Sequence, residues 1–138
     1  MANSPPNGMP QCCPNIFYDD VERAVGFLKE AFGFGERFID RTGGKVEHAQ
    51  LSYGSAVFML GSTKAPHALR PCRSPKEAGS LNAGVYLFVE DVDAHCARAK
   101  KAGAEVLLEP KDMHWGDRVY CAVDPEGQFW AFATNIGR

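Results

Sequence analysis

No apolar run in the 138-residue chain approaches the roughly 20 residues that a bilayer-spanning helix needs. Residues 1–10 lack both a basic segment and an apolar segment, so no signal peptide is expected. Lys and Arg are scattered without a basic stripe, and the formal net charge is -2, which argues against a nucleic-acid partner. The five cysteines are odd in number and contain no CxxC pair, so neither a disulfide framework nor a zinc site is indicated. A reducing, cytoplasmic setting is the natural one. No glycine loop of the phosphate-cradling kind is present, and no Ser/His/Asp or Cys/His arrangement follows from spacing.

What remains is globular composition, with 45% hydrophobic, 11% aromatic and 23% charged residues, in a length that suits one domain. Residues 1–11 carry Pro, Gly, Asn and Ser without periodicity and are expected to be a mobile tail. A strand is expected from Cys13 to Tyr18, and Asp19 or Asp20 can cap the helix that follows. Val21, Ala24, Val25, Leu28 and Phe32 make its apolar stripe, and Gly33 supplies the stop. Strand-like runs follow at Phe34 to Arg41, Val46 to Tyr53 and Ala56 to Leu60, with turns at Gly43-Gly44 and Gly54-Ser55. Residues 61–81 hold three prolines and no clear pattern, as a linker or surface loop would.

The same order then recurs. Gly84 to Val89 reads as a strand, and a second helix capped near Asp91 carries Val92, Cys96, Ala99 and Ala102 before Gly103 ends it. His95 falls beside that stripe, at its expected solvent edge. Ala104 to Leu108 is a short strand. Arg118 to Val123 and Gln128 to Thr134 form a hairpin around Asp124-Pro125-Glu126-Gly127. Phe17 to Val21 matches Phe88 to Val92, 71 positions on, and Gly54 matches Gly127, 73 positions on. Two similar offsets indicate a duplicated βαβββ unit, and one half cannot cover its own sheet face.

Phe17-Tyr18-Asp19-Asp20-Val21 through Phe32-Gly33-Phe34 resembles the opening of a vicinal-oxygen-chelate module. The second half is closer still, in Val89-Glu90-Asp91-Val92-Asp93-Ala94-His95, Ala102-Gly103-Ala104, Trp115-Gly116-Asp117-Arg118 and Asp124 to Trp130. Over about residues 13–135 the chain is similar to the glyoxalase/bleomycin-resistance/dioxygenase superfamily, and to its uncharacterised PhnB-like branch. The resemblance implies an α+β fold in which two βαβββ modules form a curved, incompletely closed mixed sheet around a cavity. One glyoxalase-like domain is expected over 12–136, with modules at 12–62 and 82–136 and a linker at 63–81. The resemblance also implies a homodimer, and it leaves the reaction open, because this fold hosts lyases, isomerases, dioxygenases and antibiotic-sequestering proteins.

Metal-dependent members place His, Gln or Glu on the first and last strand of each module. Carried over by register, those positions are Cys13, Met59, Gly84 and Ala131, none of which is such a ligand. No metal is therefore expected at the usual place, and no cofactor. Cys13 and Met59 suit either a thiophilic metal or an apolar cavity wall.

His48 and Gln50 should face the cavity with Met59, as a polar contact or acid/base pair, or as a hydrogen-bonded structural pair. Asn15, Phe17, Tyr86, Phe88, Tyr120 and Phe129 alternate onto the same inner face, which can be a ligand wall or a filled aromatic core. Trp115 and Arg118 flank the last hairpin, where Arg118 can hold an anion or pair with Asp117 or Glu126. Of the other histidines, His67 lies in the linker and His114 near a cavity rim. Trp130 and Phe132 read as core. The function expected is small-molecule binding without the usual metal ligands, such as metabolite or antibiotic sequestration. The alternative is a lyase or dioxygenase with a displaced metal, or with metal-free acid/base chemistry at His48, and a third possibility is a ligand-free interaction module.

Overall fold

A computed structural model describes residues 8–64 and 71–137. Residues 1–7 of the expected tail, residues 65–70 of the expected linker, and His67 lie outside the described residues. The architecture is α+β, with two four-stranded mixed sheets and no closed barrel. The chain divides into two units, one of residues up to Lys29 with Gly33–Arg73, the other of Glu30–Phe32 with residues from Ser74 onward.

The first unit's sheet has the order β1 (Asn15–Tyr18), β4 (Ala56–Ser62), β3 (His48–Tyr53), β2 (Gly35–Asp40). β1 runs parallel to β4 and the other pairings are antiparallel. The first strand begins at Asn15 rather than Cys13. Helix α1 (Val21–Phe32) starts where Asp20 accepts from the Arg23 N–H at 3.0 Å, and it ends at Gly33, whose φ of 78° only glycine adopts readily. All five residues of its apolar stripe are buried, as the 3.6-residue period requires. Gly54-Ser55 closes a tight hairpin that sets Tyr53 opposite Ala56 and Gln50 opposite Met59, the register expected.

The second sheet repeats the pattern: β5 (Gly84–Phe88), β8 (Phe129–Asn135), β7 (Asp117–Val123), β6 (Glu105–Asp112). Helix α3 (Val92–Lys101) is capped by Asp91, which accepts from the Ala94 N–H. It stops at Lys101, so Ala102 closes the helix rather than extending it. The patternless segment before β5 holds a one-turn helix, α2 (Pro75–Ala78), with Ser74 as its cap and Pro75 at the first helical position.

Two corrections come from this unit's core. His95 is not at a solvent edge but buried, with Nε2 2.8 Å from the Phe32 carbonyl oxygen and Nδ1 2.5 Å from the Tyr120 hydroxyl. A carbonyl only accepts, so Nε2 carries the proton and Nδ1 accepts from Tyr120. Tyr120, expected on the inner face, therefore points to the helix side and stacks on Phe132. The cause lies at the hairpin turn. Asp124 Oδ1 accepts from the N–H groups of both Glu126 and Gln128, while the Asp124 N–H reaches the Gln128 carbonyl. Gln128 thus belongs to the turn, β8 resumes at Phe129 opposite Val123, and Tyr120 comes to lie opposite Phe132. One residue of slip reverses every face.

Candidate functional site

Each sheet has a buried face, covered in the second unit by α3, and bears aromatic and polar side chains on the other. In the first unit the register writes that second face as rows. Asn15, Met59, Gln50 and Phe38 stand side by side across β1, β4, β3 and β2, and Phe17, Gly61, His48 and Asp40 form the next row. His48, Gln50 and Met59 are half-buried, and Phe17 and Phe38 are exposed. The residue beside Met59 is Asn15, so Cys13 is not its neighbour in the sheet. Cys13 precedes the strand, with Sγ 3.7 Å from the Pro10 carbonyl oxygen.

His48 faces Asp40 across β2 and β3, and its ring lies 6.5 Å from that of Phe38. Hydrogen bonds from the Thr42 hydroxyl and N–H hold the Asp40 carboxyl below its usual range, with the positive potential of His48 adding to the effect. Phe38, Asp40 and Gly61 were not among the residues singled out from sequence. Period-two alternation along β2 would have found Asp40, but the irregularity in pairing between Glu36 and Phe38 breaks that alternation.

In the second unit the open face is more aromatic. Tyr86, Phe88 and Trp115 are 45%, 56% and 49% exposed, and Phe129 is half-buried beside them on β8. The Tyr86 hydroxyl donates to Asp117 Oδ2 at 2.6 Å and accepts from Trp115 Nε1 at 3.2 Å. Asn135 donates to the other Asp117 oxygen at 3.0 Å. These donors hold the Asp117 carboxyl low, Tyr86 first, while burial and then the Asp117 bond push the Tyr86 phenol up. Tyr86 is thus a fixed wall rather than a proton acceptor. Its ring meets Phe88 edge-on at 5.5 Å.

Arg118 does not join this face. It lies on the helix side and forms a two-pronged pair with Asp93 of α3, both bonds 3.0 Å, and a third bond to Asp112 at 2.9 Å. The expected partners, Asp117 and Glu126, are not the ones it finds, and a guanidinium so engaged is not free for an anionic ligand. The structure therefore brings Asn15, Phe17, His48, Gln50 and Met59 onto one face, and Tyr86, Phe88, Trp115 and Phe129 onto another. Tyr120, Arg118 and Cys13 stand apart from both.

Of the four positions expected from register, Met59 has Asn15 beside it and Ala131 has Tyr86, while Cys13 precedes β1 and Gly84 pairs with Phe129. Among the described residues no three His, Cys, Asp or Glu side chains gather to hold an ion. Asn15, Met59 and Ala131 offer an amide, a thioether and a methyl group, and the Tyr86 phenol is bonded to Asp117.

The family model for the Glyoxalase/Bleomycin resistance protein/Dioxygenase superfamily matches residues 9–132. The chain belongs to this superfamily. Within it, the chain is 32% identical over 131 residues to the uncharacterised protein Mb0911c of Mycobacterium bovis, covering 94% of this chain and 86% of the relative. Uncharacterised Rv0887c of Mycobacterium tuberculosis is equally similar, with 77% of its length covered. Among solved structures, TioX from Micromonospora sp. ML1 superposes with a TM-score of 0.73 at 32% identity, over 88% of this chain and 95% of that one. A superfamily enzyme from Burkholderia phytofirmans PsJN, at 19% identity and a TM-score of 0.65 over 88% of this chain and 95% of that one, shares the fold.

Proposed function

We propose that this superfamily member binds a small molecule without a metal, in the manner of a metabolite- or antibiotic-sequestering protein. The observation that carries the reading is the open aromatic and polar face on each sheet. Exposed rings with a few fixed polar groups suit a ligand, whereas a purely structural face would cover its rings. A second reading, lyase or dioxygenase chemistry with His48 as acid or base, draws on the Asp40 carboxylate facing that imidazole. Five free cysteines fit a reducing, cytoplasmic setting.

A thermal-shift screen of aromatic metabolites and antibiotics tests the first reading, because a molecule that binds only the native state raises Tm. For any hit, His48→Ala is expected to weaken binding by about 1–3 kcal/mol while leaving stability nearly unchanged, since His48 is not on the packed side. Lost stability with unchanged affinity would remove His48 from the site. One equivalent of Zn, Fe, Ni or Mn in protein purified without chelator or affinity tag would favour the enzyme reading instead.

The chain is also proposed to be a homodimer, because β2 and β6 end their sheets with unpaired edges, and Phe38 and Leu107 on them are exposed. Light scattering at tens of micromolar should give twice the chain mass, and a monomer would refute it.

A further inference from the structure

The row Phe17, Gly61, His48 has a bare centre. A Cβ built on Gly61 would lie 3.3 Å from both Cδ1 and Cε1 of Phe17 and 3.8 Å from Asn15 Oδ1. One side of the Phe17 ring therefore leans over the β4 backbone at Gly61, and the Asn15 amide oxygen turns toward the same spot. His48 stands on the other flank of Gly61, with Gln50 in the adjoining row. Phe17 keeps 41% of its surface exposed, so the ring offers a contact surface as well as filling the glycine gap.

The hydrogen-bonding capacity of this patch is unspent. Among the described residues, the side chains of Asn15, His48 and Gln50 make no hydrogen bond to another residue. Each offers both donors and acceptors when neutral. Asp40 is the one carboxylate in the two rows, and neither Lys nor Arg occurs in them. A carboxylate or phosphonate placed over Gly61 would meet no Lys or Arg in these rows and would face the Asp40 carboxylate. A neutral carboxamide, itself donor and acceptor, matches what is there.

We propose that the patch over Gly61 binds an uncharged aromatic amide, or the part of a larger ligand that carries one. The ring lies against Phe17, and the carboxamide bonds among Asn15, His48 and Gln50. Gly61 is the specificity-determining residue, because a Cβ there would press on the Phe17 ring and occupy the spot between it and His48. The proposal rests on the small-molecule reading above and adds the chemical class and the subsite.

The test is a nitrogen-15 NMR titration of the full chain with benzamide and, separately, with phenylphosphonate, which keeps the ring and exchanges the head group for an anion. Benzamide should shift the signals of Asn15, Phe17, His48 and Gln50, side-chain amides included, with a Kd of about millimolar order for so small a ligand. Phenylphosphonate should leave them in place. Gly61→Ala should weaken benzamide by about fivefold, the loss of one good contact, with Tm held or raised. Phenylphosphonate moving these signals as readily as benzamide would overturn the amide class. Benzamide shifting only residues elsewhere would overturn the subsite. In both cases the small-molecule reading would stand. Unchanged benzamide affinity in folded Gly61→Ala would overturn the role of Gly61. No shift from either probe, together with no hit in the thermal-shift screen, would overturn both this proposal and the reading beneath it.

Discussion

Replacing Trp130 with Ala is expected to destabilise the protein by about 3–5 kcal/mol, the range for removing a fully buried indole. Trp130 is 0% exposed; its ring lies parallel to Phe132 and tilted against Phe32 at 5.6 Å. Its Nε1 donates to Asp124 Oδ2 at 3.1 Å. Asp124 is itself buried and holds the turn that sets the register of β7 against β8, so the indole supports both the core and the hairpin. Trp130→Phe keeps most of the ring and removes the donor. It should cost about 1–3 kcal/mol, the penalty of leaving a buried charged acceptor short of a partner. Urea unfolding of the two variants separates packing from hydrogen bonding. A loss of under about 1.5 kcal/mol for Trp130→Ala would show that the indole is not a core element.

Removal of His95 should be nearly as damaging, and pH-dependent besides. His95→Ala leaves the Tyr120 hydroxyl and the Phe32 carbonyl without their buried partner and opens a void, which together should cost about 2–4 kcal/mol at neutral pH. Burial lowers the imidazole pKa below its ordinary 6.5; Arg98 lowers it further, and the bond to the Phe32 carbonyl partly opposes them. Because the unfolded chain takes up the proton at a higher pH than the folded one, the stability this residue contributes is complete above about 6.5 and falls as pH drops below it. The slope can reach about 1.4 kcal/mol per pH unit for the single proton. His95→Gln has no such proton, so the stability advantage of the native chain over this variant should shrink between about pH 7 and pH 5. An advantage constant over that range would mean that His95 is accessible to protons in the folded state.

The same histidine shows where sequence reasoning stopped. Its position beside the α3 stripe was legible, but its inward turn depends on Tyr120 reaching across from β7 and on a carbonyl at the end of α1. Tyr120 in turn depends on Asp124 drawing Gln128 into the turn, a side-chain choice that alternation alone does not reveal. Arg118 follows the same slip and meets Asp93 of the helix. In the first unit Gly54-Ser55 left no such freedom, and the pairing of Gln50 with Met59 could be read directly. The sequence pattern starts β1 at Cys13, two residues before its observed start, and so sets Cys13 where Asn15 stands.

The sequence by itself determined the duplicated βαβββ order, the place of each helix cap to within one residue, the glycine stop at Gly33, the core role of Trp130 and Phe132, and the superfamily. Each rests on period, cap or turn chemistry within a few residues, or on a repeat of such signals. The tertiary structure alone decided which face β7 presents, whom Arg118 pairs with, and that Phe17 leans over a bare Gly61 beside His48. Those outcomes are set by pairing between strands distant in sequence, where a shift of one residue costs the local chain almost nothing and reverses the whole face.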